Sequence, residues 1–215
     1  MTFDLVIARI RRALLLEPAA YEEARDDATF TPFAAGGAVI AAFVGGLGAF
    51  LWSSVILDNT GDFFVEAFIL GSIFLAILWI AGVLLMYAVL SMAFAEETTW
   101  DGLLRVVTIA HIPFAISVLV FIPGIGFAFG VLAIAAMFFY SNFAIRSAYA
   151  QIDPMRVMLA VLAGFAVWLV LLPLLTSPSN QFAPGTFVYE WSEDVVEDLS
   201  STSAENLGIP DISTE

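Results

Sequence analysis

Five long apolar stretches constrain this chain more than any other feature. They run over residues 33–57, 67–95, Leu103 or Val106 to Ile122, 126–145 and 155–175. At about 1.5 Å of rise per residue, roughly 20 residues of α-helix cross the hydrocarbon core of a bilayer, and each stretch is of that order. In lipid every backbone amide must be satisfied within the segment, so stretches of this kind fold as helices. The composition leaves no alternative, because 61% of the 215 residues are hydrophobic and only 13% are charged, against roughly 25% charge in soluble domains. The first stretch follows 32 residues of mixed sequence. It therefore does not read as a signal-peptide core, which is short and follows a basic leader.

The expected fold is all-α, an integral membrane bundle of five transmembrane helices with an N-terminal amphipathic helix. Residues 1–31 form an amphipathic and acidic leading segment, 32–175 the helical bundle, and 176–215 an acidic tail of disordered composition. Ile122-Pro123-Gly124-Ile125-Gly126 separates the third and fourth stretches with helix breakers, which predicts a tight hairpin and antiparallel neighbours.

Charge sets the direction. The basic residues are seven arginines without a lysine: Arg9, Arg11, Arg12 and Arg25 before the first span, Arg105 at the start of the third, and Arg146 and Arg156 around the turn between the fourth and fifth. With five spans all seven fall on one side. The other side carries Asp58, Asp62, Glu66 and the eight acids of the tail, with no base. The positive-inside rule makes the arginine side cytoplasmic. The expectation is a multi-pass plasma-membrane protein with its N-terminus inside and its C-terminus outside.

Phe3, Val6, Ile7, Ile10 and Leu14 recur at helical spacing, with Asp4, Arg11 and Arg12 away from that face. This predicts an amphipathic helix ending near Pro18. It either lies in the membrane interface with its arginines near anionic headgroups or packs on the bundle as a lid. Tyr21-Glu22-Glu23-Ala24-Arg25-Asp26-Asp27 is acidic and helix-compatible, suited to a solvated face or to a basic partner. In the tail, Trp191, Val195, Val196 and Leu199 are spaced for one short helix.

Polar chemistry inside the spans is sparse. His111 is the single histidine, and Pro113 two residues on frees a backbone carbonyl and favours a kink. One reading makes His111 a proton relay or a gate at that kink. The other pairs it with a backbone carbonyl or with Ser91, Tyr87, Tyr140 or Asn142 on a neighbouring helix. Gly36, Gly37, Gly45, Gly46 and Gly48 allow close helix approach.

No nucleophile and base pair, paired intramembrane aspartates or phosphate-binding glycine loop is present. The absence of cysteine excludes thiolate metal sites and disulfides. A net charge of −14 argues against nucleic acid as a partner. No enzyme activity, cofactor or metal is expected.

Several short pieces together resemble the Yip1 domain family over roughly residues 7–175. They are Arg12-Ala13-Leu14 with Glu17-Pro18 and Tyr21-Glu22-Glu23; Thr98-Thr99-Trp100 with Leu103-Leu104-Arg105; Ala110-His111-Ile112-Pro113; Ile122-Pro123-Gly124-Ile125-Gly126; and Arg146-Ser147-Ala148. The resemblance is to the prokaryotic type. It implies a five-span bundle with a cytosolic N-terminus, in a family whose eukaryotic members bind lipid-modified Rab GTPases and shape membranes. Ala110-His111 stands where those members carry a Gly-Tyr motif, and no Asp-Leu-x-Gly-Pro stretch precedes the first span. What carries over is therefore a non-enzymatic adaptor or organiser rather than Rab capture. Its partners are expected to be membrane lipids and a membrane or cytoplasmic protein, met through Arg9, Arg11, Arg12, Trp100, Arg105 and Arg146. The rival expectation is a small transporter, channel or transporter subunit gated at His111 and Pro113.

Overall fold

An N-terminal helix with an acid in its first turn and bases in its last suits the helix dipole, and α1 (Phe3–Leu14) carries Asp4 and then Arg11 and Arg12 there. The computed structural model describes residues 3–56, 64–122 and 124–175. The first-loop acids Asp58 and Asp62, Pro123 of the hairpin and the whole tail from residue 176 lie outside the described residues.

α1 ends as Leu16 turns left-handed at φ 61°. Its N–H reaches the Ala13 carbonyl at 2.9 Å while the Glu17 N–H reaches the Arg12 carbonyl at 3.1 Å, the bonding pattern of a Schellman stop. Pro18 then opens α2 (Pro18–Asp26) at the position where its missing N–H costs nothing. Asp27 caps a 3₁₀ turn over Ala28–Phe30 by accepting from the Thr29 N–H at 3.0 Å.

The long apolar helices follow. α3 covers Thr31–Ile56. A π-helical segment, Phe64–Leu70, leads into α4 (Gly71–Ala88), which closes in a second π segment, Val89–Ala93. Thr99 caps α5 (Trp100–His111) by accepting from the Gly102 N–H at 3.3 Å. After a 3₁₀ run over Ile112–Phe121 come α6 (Gly126–Ala148) and α7 (Pro154–Leu175). Among the described residues four helical stretches are long and apolar enough to cross a membrane: Ala28–Trp52, Phe68–Ala93, Trp100–Phe121 and Ala128–Ala148. Pro154–Trp168 adds a shorter apolar helix. The described chain is thus an all-helical membrane protein, and no strand occurs among the described residues.

Pro113 acts through the helix type. Having no N–H, it cannot bond to the Ile109 carbonyl four residues back. The Ile112 N–H takes that carbonyl instead, an i to i−3 bond. The chain continues as 3₁₀-helix for ten residues, well beyond the three or four usual for that geometry. His111 is the last α residue before the switch. The kink expected from Pro113 is therefore a change of helix type.

Two glycine pairs set how closely the spans meet. A Cβ at Gly48 would come 2.7 Å from the Ser117 carbonyl and 2.8 Å from Val118 backbone, and one at Gly45 would come 2.8 Å from the Phe114 ring. These two glycines seat the 3₁₀ run against α3. Gly82 and Gly164 do the same where α4 meets α7, since a Cβ on Gly164 would lie 2.8 Å from the Gly82 carbonyl. Gly36 and Gly37 have open space around the missing Cβ, so within this chain they serve no close approach.

Candidate functional site

The arginine end of the bundle is a structured cap. α1 packs on α2 and α5, and α2 packs on α5 and α6, and the last carbonyls of α1, α2 and α6 supply its hydrogen-bond acceptors. Arg105 is 7% exposed. It donates from Nε to the Ala24 carbonyl at 2.9 Å, from Nη1 to Thr31 Oγ1 at 3.0 Å, and from Nη2 to the Arg25 carbonyl. The last carbonyls of α2 carry the negative end of that helix dipole, so the guanidinium closes α2 while belonging to α5. Arg25 repeats the device by donating to the Ala148 carbonyl at the end of α6, stacking over Tyr149 at 5.5 Å, and forking onto Asp26 at 2.7 and 2.9 Å. Two tyrosine hydroxyls finish α1: Tyr21 donates to the Ala13 carbonyl at 2.9 Å, and Tyr140 of α6 to the Leu14 carbonyl at 2.8 Å.

The acidic segment pairs with the chain's own arginines. Arg9 bonds Asp27 at 2.9 Å and lies over the Phe30 ring at 5.1 Å, while Arg12 bonds Glu17 at 2.8 Å and Glu23 at 2.9 and 3.0 Å. Glu17 and then Glu23 hold the Arg12 guanidinium charged, above its ordinary pKa. Asp26 raises Arg25 in the same way and is itself held below the usual carboxylate range by Arg25. Thr29 first and Arg9 second hold Asp27 below that range as well. Burial pushes the Tyr21 and Tyr149 hydroxyls up, Tyr149 against the pull of Arg25.

This arrangement divides the expected interaction residues. Arg105 is a buried clamp, so it offers no guanidinium to a partner, and the expectation for it is corrected on that ground. Arg9 and Arg12 are occupied by Asp27, Glu17 and Glu23. Trp100 is half-buried, edge-on to Tyr87 at 5.9 Å. Arg11 and Arg146 are exposed, and among the described residues neither makes an ion pair. Arg156 bonds Glu96 at 2.6 Å and ties the start of α7 to the turn after α4.

α1 packs on the bundle along one side, as the lid expectation has it. Val6 and Ala13 are buried and Ile10 packs on the core. Phe3, Leu5 and Ile7 remain outside, 71%, 59% and 48% exposed. One edge of the apolar face docks as a lid; Phe3 and Ile7 form the uncovered edge beside Arg11, and Leu5 lies on the opposite side of the helix.

His111 lies deep in the bundle, 1% exposed. It meets none of its expected partners: Nδ1 faces the Met137 sulfur at 2.7 Å, and Nε2 is buried without a hydrogen bond. The imidazole stacks on Phe114 at 5.1 Å and tilts against Trp79 at 5.5 Å. The Trp79 indole N–H is likewise buried and unpaired. A narrow cavity of about 10 Å³ opens alongside, lined by Trp79, Met86, Met137, Ser141 and Trp168 among others. That is the room one water molecule occupies. Among the described residues no three histidine, aspartate or glutamate side chains gather as a metal cluster. Ser91 and Thr108, also polar within spans, satisfy themselves on carbonyls one turn back in their own helices.

Met137 and Trp79 escaped the sequence reading because each sits in an apolar run with nothing local to single it out. No family model, curated protein or solved structure matches the chain.

Proposed function

We propose that this chain is a five-span plasma-membrane protein with a cytoplasmic N-terminus, acting without catalysis as an organiser of lipids and partner proteins at the arginine end. The observation that carries this reading is the cap. A helix pair clamped by Arg105, Arg25, Tyr21 and Tyr140 holds an uncovered apolar edge, Phe3 and Ile7, next to the unpaired Arg11. A rigidly mounted amphipathic helix with that layout suits the headgroup boundary, where apolar side chains enter the acyl layer and arginine meets phosphate. The fifth crossing is assigned to α7, and the orientation follows from all seven arginines lying on one side of five spans.

The cysteine-free sequence permits a direct test. Single cysteines at Thr2, Asp62, Thr98, Ser147 and Ser203 are labelled from outside intact cells; the proposal requires label at 62 and 203 only. An environment-sensitive fluorophore at Phe3→Cys should then blue-shift in anionic liposomes and be quenched by lipid-borne nitroxides. Label at 98 or 147, or a fluorophore quenched only from water, overturns the reading.

The rival transporter reading draws on the helix-type switch beside His111 and the small cavity there. Flux in liposomes that His111→Ala abolishes would establish it.

A further inference from the structure

α1 carries one apolar stripe that the fold divides. At about 100° per residue, Phe3, Val6, Ile7, Ile10 and Leu14 fall within a single band about 100° wide. Val6 is buried and Ile10 packs on the core, while Phe3 and Ile7 are exposed. The bundle therefore takes one half of the band and leaves the other half out. A membrane interface takes the whole of such a stripe at once.

Charge does most of the work of keeping α1 docked. The guanidinium clamps Arg105 and Arg25 act on the ends of α2 and α6, not on α1. α1 is tied instead by Arg9 to Asp27 at 2.9 Å and by Arg12 to Glu17 at 2.8 Å and Glu23 at 2.9 Å. Tyr21 and Tyr140 pin its last turn at the Ala13 and Leu14 carbonyls, and its buried side chains, Val6 and Ala13, are small. The Arg9 tie is incomplete, since Nε stands 3.7 Å from Glu23 and is buried without a hydrogen bond, which disfavours the docked state. Each near-surface pair of this kind favours docking by about fivefold or less.

Lipid phosphates offer arginine the same anionic oxygens as these carboxylates. We propose that the α2 carboxylates stand in for anionic headgroups and hold α1 half-engaged, and that a membrane surface rich in anionic phospholipid competes for Arg9 and Arg12, swinging α1 about its pinned last turn until Phe3, Val6, Ile7 and Ile10 enter the interface together. The inference rests on the reading that the arginine end meets the membrane surface, and it adds the regulation of that contact. Arg11 is exposed in the docked position already, so the response to lipid charge comes from the two arginines that change partners. Each basic side chain brought to an anionic surface strengthens attachment about fivefold, and two shift the released-to-docked ratio about 25-fold between neutral and anionic lipid.

The test uses the full chain in nanodiscs, spin-labelled at Ala8→Cys on α1 and Ala150→Cys beyond α6, both exposed positions. Double electron–electron resonance reads the distance between the labels as phosphatidylserine replaces phosphatidylcholine. A second distance should grow in with anionic lipid at the expense of the docked one, and added salt should suppress it. Glu23→Gln should raise the released population already in neutral lipid, and Glu17→Gln/Glu23→Gln/Asp27→Asn should raise it about tenfold. Glu22→Gln removes an exposed acid of the same helix that makes no ion pair among the described residues, and should leave the ratio unchanged. One distance at every lipid composition, a released population indifferent to lipid charge, or an equal response to Glu22→Gln and Glu23→Gln overturns the proposal. The lipid titration of the parent decides the matter even if the triple variant misfolds. A Phe3→Cys fluorophore quenched from lipid alongside a single unchanging distance removes the switch and leaves the organiser reading standing. Label at 98 or 147 from outside cells removes that reading, while the distances still judge the switch because nanodiscs expose both faces.

Discussion

Removing the Arg105 side chain should release the cap while leaving the spans intact. In Arg105→Ala the carbonyls of Ala24 and Arg25 and the Thr31 hydroxyl lose a charged donor that is 7% exposed. Each bond from a charged donor to a buried carbonyl is worth about 1.5–3 kcal/mol, so the two together come to about 3–6 kcal/mol. The site lies at the end of the bundle, where water can re-enter, so the lower figure of about 3 kcal/mol applies. That raises the open population of the cap on the order of 100-fold. Hydrogen exchange in nanodiscs reads this directly: amides of α2 should lose protection by that factor, while those of α3, α4 and α6 keep theirs. Arg105→Lys retains charge without the guanidinium fork and should recover part of the loss. If α2 exchange changes by less than about threefold, Arg105 is no clamp. If every helix loses protection together, the residue supports the bundle rather than the cap, and the reasoning fails equally.

Three further outcomes follow from the same geometry. Asp27 is held below its ordinary pKa, so its contribution to the cap is complete above the unfolded value of about 4 and disappears as pH falls through the lower folded one. α1 amides should therefore stay protected from pH 8 to 5 and lose protection below about pH 4, and Asp27→Asn should weaken the cap at neutral pH and flatten that acid transition. Gly48→Ala places a methyl 2.7–2.8 Å from the backbone of Ser117 and Val118 and should cost about 1–3 kcal/mol in detergent unfolding. Gly36→Ala, facing open space, should stay within about 0.5 kcal/mol of the parent. Tyr140→Phe removes one bond to the Leu14 carbonyl and should cost about 1 kcal/mol, read as faster exchange confined to α1.

The spans were legible because hydrocarbon tolerates so little else. The first stretch was expected over 33–57 and α3 covers Thr31–Ile56; the fourth was expected over 126–145 and α6 covers Gly126–Ala148. Helix ends outside the lipid follow local chemistry, and Pro18 and Asp27 marked theirs in the sequence. Leu16 gave no such signal, because a leucine rarely adopts positive φ and the tertiary bonds from Tyr21 and Tyr140 that reinforce the local backbone bonds of that turn come from residues distant in sequence. Arg105 read as a surface cation since nothing nearby in sequence shows that α2 ends against it. The partner of His111 depends on how α6 is rotated. The expected contacts Tyr140 and Asn142 lie on that helix, yet the face turned inward carries Met137 and Ser141. The 3₁₀ run was legible only as a proline kink, because its length reflects the close seat that Gly45 and Gly48 provide.

The bond from Arg25 to the Ala148 carbonyl joins residues 123 positions apart, and that separation imposes a timetable on biosynthesis. At about 5–20 residues per second, the ribosome needs roughly 6–25 s to deliver the acceptor after the donor has emerged. Throughout that interval α1 and α2 lack the end of α6, and until Arg105 emerges 80 residues after Arg25 they lack the start of α5 as well. Their apolar residues must wait at the membrane surface or with a chaperone. The cap is consequently a late checkpoint: it closes only on a chain whose fourth apolar helix has already been made, and a ribosome stalled before residue 148 leaves it open.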